Sequence, residues 1–207
     1  MDSFSGLIID GVTFGRTCIG LVTRPYETYR RIIHHGKRGE LLYVALFLGL
    51  YFALSSMVKV AAFRPFLLTQ QFFVLVLGAA SGALIATASL SFVGKVFGAR
   101  VRFESLLLGW SYTLIPTASW FLATSVLYVL LPPPRTTSLL GVIFSLLFIV
   151  FSATLLWWKV TLSYLTMRFG LKLDLGKSII VALLCIPGMT IWAWSMYALG
   201  VFKVPFL

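Results

Sequence analysis

Two prolines, two lysines and a tyrosine are the residues best placed for chemistry, because each stands in an apolar run. Pro116 and Pro187 each follow an isoleucine. Each removes one helical hydrogen bond and kinks or loosens its helix. The freed carbonyls could hold a ligand, although neighbouring helices more often re-satisfy them. The structural role is therefore the preferred reading. Lys59 and Lys159 lie near the ends of apolar stretches. A charge inside a membrane segment is a functional signal by default. Both amines can instead reach headgroups, and no acid is expected in the spans to pair with them. Tyr112, near the middle of its run, needs a hydrogen-bond partner. Gly109, Ser111, Thr113 and Gly141 are small enough to permit close helix contact.

Beyond these, the chain lacks the usual catalytic patterns. It has no Ser/His/Asp set, no HExxH, no CxxC and no glycine loop of the phosphate-cradling kind. His34 and His35 are adjacent, so they point apart and make a poor metal site. Cys18 and Cys185 are expected in different environments, which argues against a disulfide. A non-enzyme without cofactor or metal is expected. The candidate helix-kink or packing positions are Gly109, Tyr112, Pro116 and Pro187.

The elements that hold these residues follow from composition. Hydrophobic residues make up 59% of the 207 and charged ones 11%, with a mean hydropathy of +0.98. Soluble domains carry about a quarter charged residues. Apolar runs of about 18 residues or more read as membrane helices, the form that satisfies every backbone group within the segment. Five such spans are predicted: about 41–62, 72–93, 105–131, 139–164 and 178–201. The fold class is thus an all-α integral membrane protein. Residues 1–40 form a cytoplasmic or interfacial segment, and 41–207 form the membrane domain.

Basic residues set the orientation. Twelve lie before span one or in the turns after spans two and four, against three on the other side. The N-terminus is expected in the cytoplasm and the C-terminus outside. The net charge of +11 therefore faces anionic headgroups rather than nucleic acid. Asp10, Gly11, Gly15 and Arg16 interrupt the first apolar stretch, so no signal peptide is expected.

Residues 23–33 predict a short helix with Pro25 at its first position. Tyr26, Tyr29 and Ile33 share one face, and Glu27 precedes Arg30 and Arg31 at favourable spacing. Arg24, Tyr26, Tyr29, Arg30 and Arg31 are the candidate contacts with a membrane surface or a partner. The anchor role is favoured over docking of a cytosolic protein.

The chain also echoes itself. Residues 89–103 align without a gap to residues 161–175, with four of fifteen positions identical. Each block turns at Phe-Gly and leads to an Ile-Pro step, and Trp120 and Trp192 return to register. Spans two-three and four-five would then be a parallel repeat about an axis along the membrane normal. Gly98 and Gly170 are expected in the left-handed geometry that closes a helix.

Residues 23–32, with Phe103, Gly109-Trp110-Ser111-Tyr112 and Ile115-Pro116, resemble the Yip-domain proteins, in particular short prokaryotic members. The resemblance covers nearly the whole chain and fits five spans with a cytoplasmic N-terminus. Eukaryotic members bind Rab-type GTPases and act in vesicle budding and fusion, often as oligomers. Their cytoplasmic segment is longer and carries a motif like Asp-Leu-Tyr-Gly-Pro. This chain lacks it, so GTPase binding is doubtful here. The resemblance implies a prokaryotic plasma-membrane scaffold or adaptor affecting membrane organisation or trafficking. Its expected partners are membrane lipids, including anionic headgroups, and a homo-oligomer or membrane-protein partner. The alternative is a small transporter or lipid-translocating protein using the proline-broken helices.

Overall fold

The computed structural model describes residues 2–59, 65–99, 102–130 and 139–200. The snorkelling expected of Lys59 and the proline turn at 132–134 lie outside the residues whose side chains are described. Among the described residues every regular element is an α-helix. They are α1 (Asp2–Thr23), α2 (Pro25–His35), α3 (Arg38–Lys59), α4 (Pro65–Val96), α5 (Phe103–Tyr112), α6 (Leu114–Leu130), α7 (Leu139–Leu171) and α8 (Leu175–Ala198). The five predicted spans correspond to α3, α4, α5 with α6, α7, and α8.

One correction concerns their number. Over Gly6–Thr23, α1 is also long and apolar enough to cross a membrane, which gives six candidate spans among the described residues. Asp10, Gly11, Gly15 and Arg16 break the apolar run without breaking the helix. Ile8, Val12, Ile19 and Val22 fall on one helical face and are exposed. The opposite face carries Asp10, Phe14, Thr17 and Leu21, and Thr17 and Leu21 are fully buried.

That inward face pairs α1 with α2 as an antiparallel hairpin. Arg31 donates to Thr17 Oγ1 at 3.1 Å, and Lys37 Nζ lies 3.6 Å from Asp10 Oδ1. Tyr43 ties the hairpin to α3. Its hydroxyl donates to the Leu7 carbonyl at 2.6 Å, and its ring stacks on Phe14 with centroids 6.0 Å apart. Pro25 opens α2 as expected. Glu27 pairs with the preceding Arg24 at 3.7 Å. Both side chains are exposed, so the pair contributes little.

The two Ile-Pro steps behave differently. Pro116 has no N–H to offer the Tyr112 carbonyl, and the helix breaks at Thr113. There the Thr113 N–H turns back to Trp110 O at 2.9 Å, and Thr113 Oγ1 donates to the same oxygen at 2.7 Å. Pro187 stands inside α8, which continues through it. Pro116 is buried among other helices and Pro187 is exposed. Tertiary contacts at Tyr112, described below, hold the first break in place.

Two apolar clusters hold the bundle. The larger joins Leu21 and Tyr29 of the hairpin to Val44, Leu108, Tyr112, Ile115, Leu162 and Leu165. The second joins Leu90, Leu106, Leu171, Val181 and Cys185. Helix α8 packs along α4, and α5 with α6 packs along α7.

Candidate functional site

The polar side chains converge where the α1–α2 hairpin meets the start of α3, the end of α5 and the end of α7. We call this the basic end of the bundle. At its centre is Glu40, only 3% exposed. The Tyr112 hydroxyl donates to Glu40 Oε2 at 2.6 Å, and the Lys37 backbone N–H donates to Oε1 at 3.3 Å. Burying a carboxyl is costly unless it is hydrogen-bonded. Here the carboxyl finds its donor at the residue where Pro116 interrupts the helix.

The partner Tyr112 needs is therefore an acid, although none was expected within the spans. Glu40 lies in the apolar helix stretch Gly39–Met57. It was missed because it stands one residue before the predicted first span, which begins at 41. The available signal was Tyr112 itself, a mid-span hydroxyl without a nearby partner in sequence.

Tyr29 fixes α2. It is fully buried, and its hydroxyl donates to the Gly109 carbonyl at 3.1 Å. Burial pushes its phenol well above the ordinary range, and a hydrogen bond with the Thr166 hydroxyl partly counters this. Missing side chains let the helices approach. A Cβ at Gly109 would lie 2.9 Å from Ile33 Cδ1 and 3.2 Å from Thr166 Cγ2. One at Gly170 would lie 2.7 Å from Leu106 Cδ1. Gly170 is thus a packing residue within α7, not the left-handed closure expected of it. Gly98 does take that geometry, at φ 81°, and after α7 the role passes to Lys172 at φ 54°.

The five expected surface residues divide. Arg24, Tyr26 and Arg30 are exposed, Tyr29 is buried, and Arg31 is half-buried against Thr17. His34 and His35 are both exposed, with ring centroids 6.4 Å apart. Lys159 is half-buried on α7.

Beside this face is a cavity of about 560 Å³, lined by His34, Arg168, Phe169, Lys172, Leu173, Asp174 and Leu175. Arg168 donates to the Tyr164 hydroxyl at 2.9 Å, and its guanidinium carbon lies 5.9 Å from the Tyr26 ring centre. Sequence reading counted Arg168 and Lys172 only as orientation charges. Their meeting with His34 depends on how α2 docks. Among the described residues no group of three or more His, Cys, Asp or Glu side chains could hold a metal ion. The arrangement is suited to holding and recognising: a buried polar latch beneath an exposed cationic, aromatic face.

The family model described as the Yip1 domain matches residues 19–197, which takes in α2 through α8 and the end of α1. No curated protein and no solved structure matches the chain.

Proposed function

Because the chain belongs to the Yip1-domain family, we propose that it is a non-enzymatic integral membrane protein that scaffolds partners at a membrane surface. The observation that carries this reading is the docking of α2. Tyr29 is buried against α5 and α7, so Arg24, Tyr26 and Arg30 are held outward on a fixed helix. A pre-ordered surface loses less entropy on binding than a loose tail.

In this reading the basic end faces the cytoplasm of a prokaryotic cell, following the charge asymmetry. α1 lies in the membrane plane, with Ile8, Val12, Ile19 and Val22 in the lipid boundary. The two hairpins, α4 with α5–α6 and α7 with α8, form a parallel repeat. The transport alternative is less well supported, because at the break between α5 and α6 Thr113 bonds the Trp110 carbonyl and Tyr112 is bonded to Glu40.

Affinity purification from native membranes in mild detergent tests the scaffold role. A homo-oligomer or a membrane-protein partner is expected with the chain, and a Tyr26→Ala/Arg30→Glu variant should lose it. Recovery of the chain alone, with neither, overturns the reading.

A further inference from the structure

We propose that the cavity between α2 and the α7–α8 turn binds a phosphate ester, presented by an anionic phospholipid. The cavity joins two kinds of surface. Arg168, Lys172 and His34 give it cationic or protonatable groups, while Phe169, Leu173 and Leu175 give it an apolar side. Asp174 is its one acid, so two fixed cations outweigh one anion.

Among the described residues neither fixed cation forms an ion pair with a carboxylate, unlike Arg24 with Glu27 and Lys37 with Asp10. Arg168 is oriented by the Tyr164 hydroxyl and lies over the rings of Tyr26 and Tyr164, at 5.9 and 6.0 Å. One of its donors is used, and the rest of its planar fork is suited to phosphate oxygens. Lys172 holds a left-handed position that glycine usually takes. A lysine there adds charge beside Arg168 at a backbone position that does not favour it.

Location selects the source of the phosphate. Apart from His34 of α2, the lining residues come from the last turn of the candidate span Gly141–Leu171, the connecting turn, and the first residue of the span Leu175–Ala198. Such a boundary is where bilayer phosphates lie, and basic residues there attract anionic lipid. The phosphate would meet Arg168 and Lys172, while the glycerol and upper acyl carbons would lie along Leu173 and Leu175. This site depends on the membrane setting and not on the scaffold role.

The test uses the full chain in nanodiscs of phosphatidylcholine doped with phosphatidylglycerol. Native mass spectrometry then counts the lipids retained. The wild type should retain one anionic lipid, with roughly tenfold preference over the zwitterionic one. Arg168→Gln/Lys172→Gly should lose that preference about tenfold, and Arg168→Lys/Lys172→Arg should keep most of it. Glycine suits the backbone at 172, so the single Lys172→Gly variant keeps the turn. It should lose the preference several-fold, and it decides the matter if the double variant unfolds. Lys95→Gln/Arg102→Gln removes equal charge outside the cavity and should leave the preference intact. An unchanged preference in Lys172→Gly, or equal loss in the Lys95/Arg102 control, overturns the proposal. Glycerol 3-phosphate at millimolar concentration separates the sources. It should not displace the lipid, and displacement would overturn the lipid assignment in favour of a soluble phosphate ester. Partner recovery is not read in this experiment, so its failure is distinct from failure of the scaffold reading.

Discussion

Trp192 of α8 donates its indole N–H to Ser81 Oγ of α4 at 3.2 Å, across 111 residues. Its counterpart is Trp120 of α6, which donates to Ser152 Oγ of α7 at 2.7 Å. The two tryptophans are the register-matched pair of the echoed blocks. Each reaches the first helix of the other block, which is the relation a two-fold axis between hairpins would produce. Each serine also donates to its own helix, Ser81 to Gly78 O and Ser152 to Phe148 O, so its hydroxyl is oriented to accept. Trp120→Phe and Trp192→Phe each remove one neutral hydrogen bond and should each cost about 1 kcal/mol. Their effects should add, because the sites share no partner. Denaturation in detergent measures this. If one substitution is silent while the other is costly, the two bonds are not equivalent parts of a repeat.

Tyr112 and Glu40 should be coupled. Tyr112→Phe removes the donor and leaves the buried carboxyl short of a partner, at a cost of about 1–3 kcal/mol. Glu40→Ala removes the acceptor of the tyrosine hydroxyl and opens space beside it. Together the two should cost less than the sum of the single changes, by about 1 kcal/mol or more. Strictly additive costs in a double-mutant cycle would mean that the 2.6 Å bond does not hold the break at Thr113.

The bundle was legible where hydrophobicity alone decides. Apolar runs too long for a soluble helix marked α3, α4, α5 with α6, α7 and α8, with ends shifted by up to seven residues. Where tertiary contact decides, the text was less direct. Asp10 and Arg16 made α1 read as an interrupted stretch, because the sequence does not reveal that Asp10 meets Lys37 or that Tyr43 meets Leu7. Tyr29 and Tyr26 looked alike on one helix face, yet Tyr29 is buried and Tyr26 is half exposed. Which of them faces protein depends on how α2 docks against Gly109 and Thr166. The meeting of His34 with Arg168 and Lys172 likewise follows from that docking and from no local motif.

The glycines separate two physical causes. Gly98 is required by its backbone at φ 81°, with nothing within 4 Å of an added Cβ. Gly98→Ala should therefore cost about 1 kcal/mol, from strain alone. Gly82 and Gly170 are required by space. An added Cβ would lie 2.7 Å from Trp192 Cη2 in the first and 2.7 Å from Leu106 Cδ1 in the second. Alanine at either should cost about 1–3 kcal/mol through overpacking. Lys172→Gly should be neutral or stabilising, since it relieves a left-handed lysine. Unfolding of the four single variants tests the order, and a Gly98→Ala cost above that of Gly170→Ala would reverse the assignment.

The course of α1 gives the sharpest topological test. Its 22 residues are about 33 Å long, enough to cross a hydrocarbon core of about 30 Å. Its contacts point to another course. It meets α3 at Gly39 and Tyr43, in the first turns of that helix, and it runs antiparallel to α2 from Thr17 against Arg31 to Asp10 against Lys37. A helix descending beside α3 would instead find partners along its length. In a background with Cys18 and Cys185 replaced by alanine, single cysteines at Gly6 and Arg24 would mark the two ends of α1. Gly6 has open space around an added Cβ, and Arg24 is exposed, so both sites tolerate the change. With a membrane-impermeant maleimide, both should react from the same side of the membrane. Cysteines at Val12 and Ile19 should resist it if their exposed apolar face lies in lipid, as proposed. Reaction of the Gly6 and Arg24 cysteines from opposite sides would make α1 a true sixth span and move the N-terminus across the membrane.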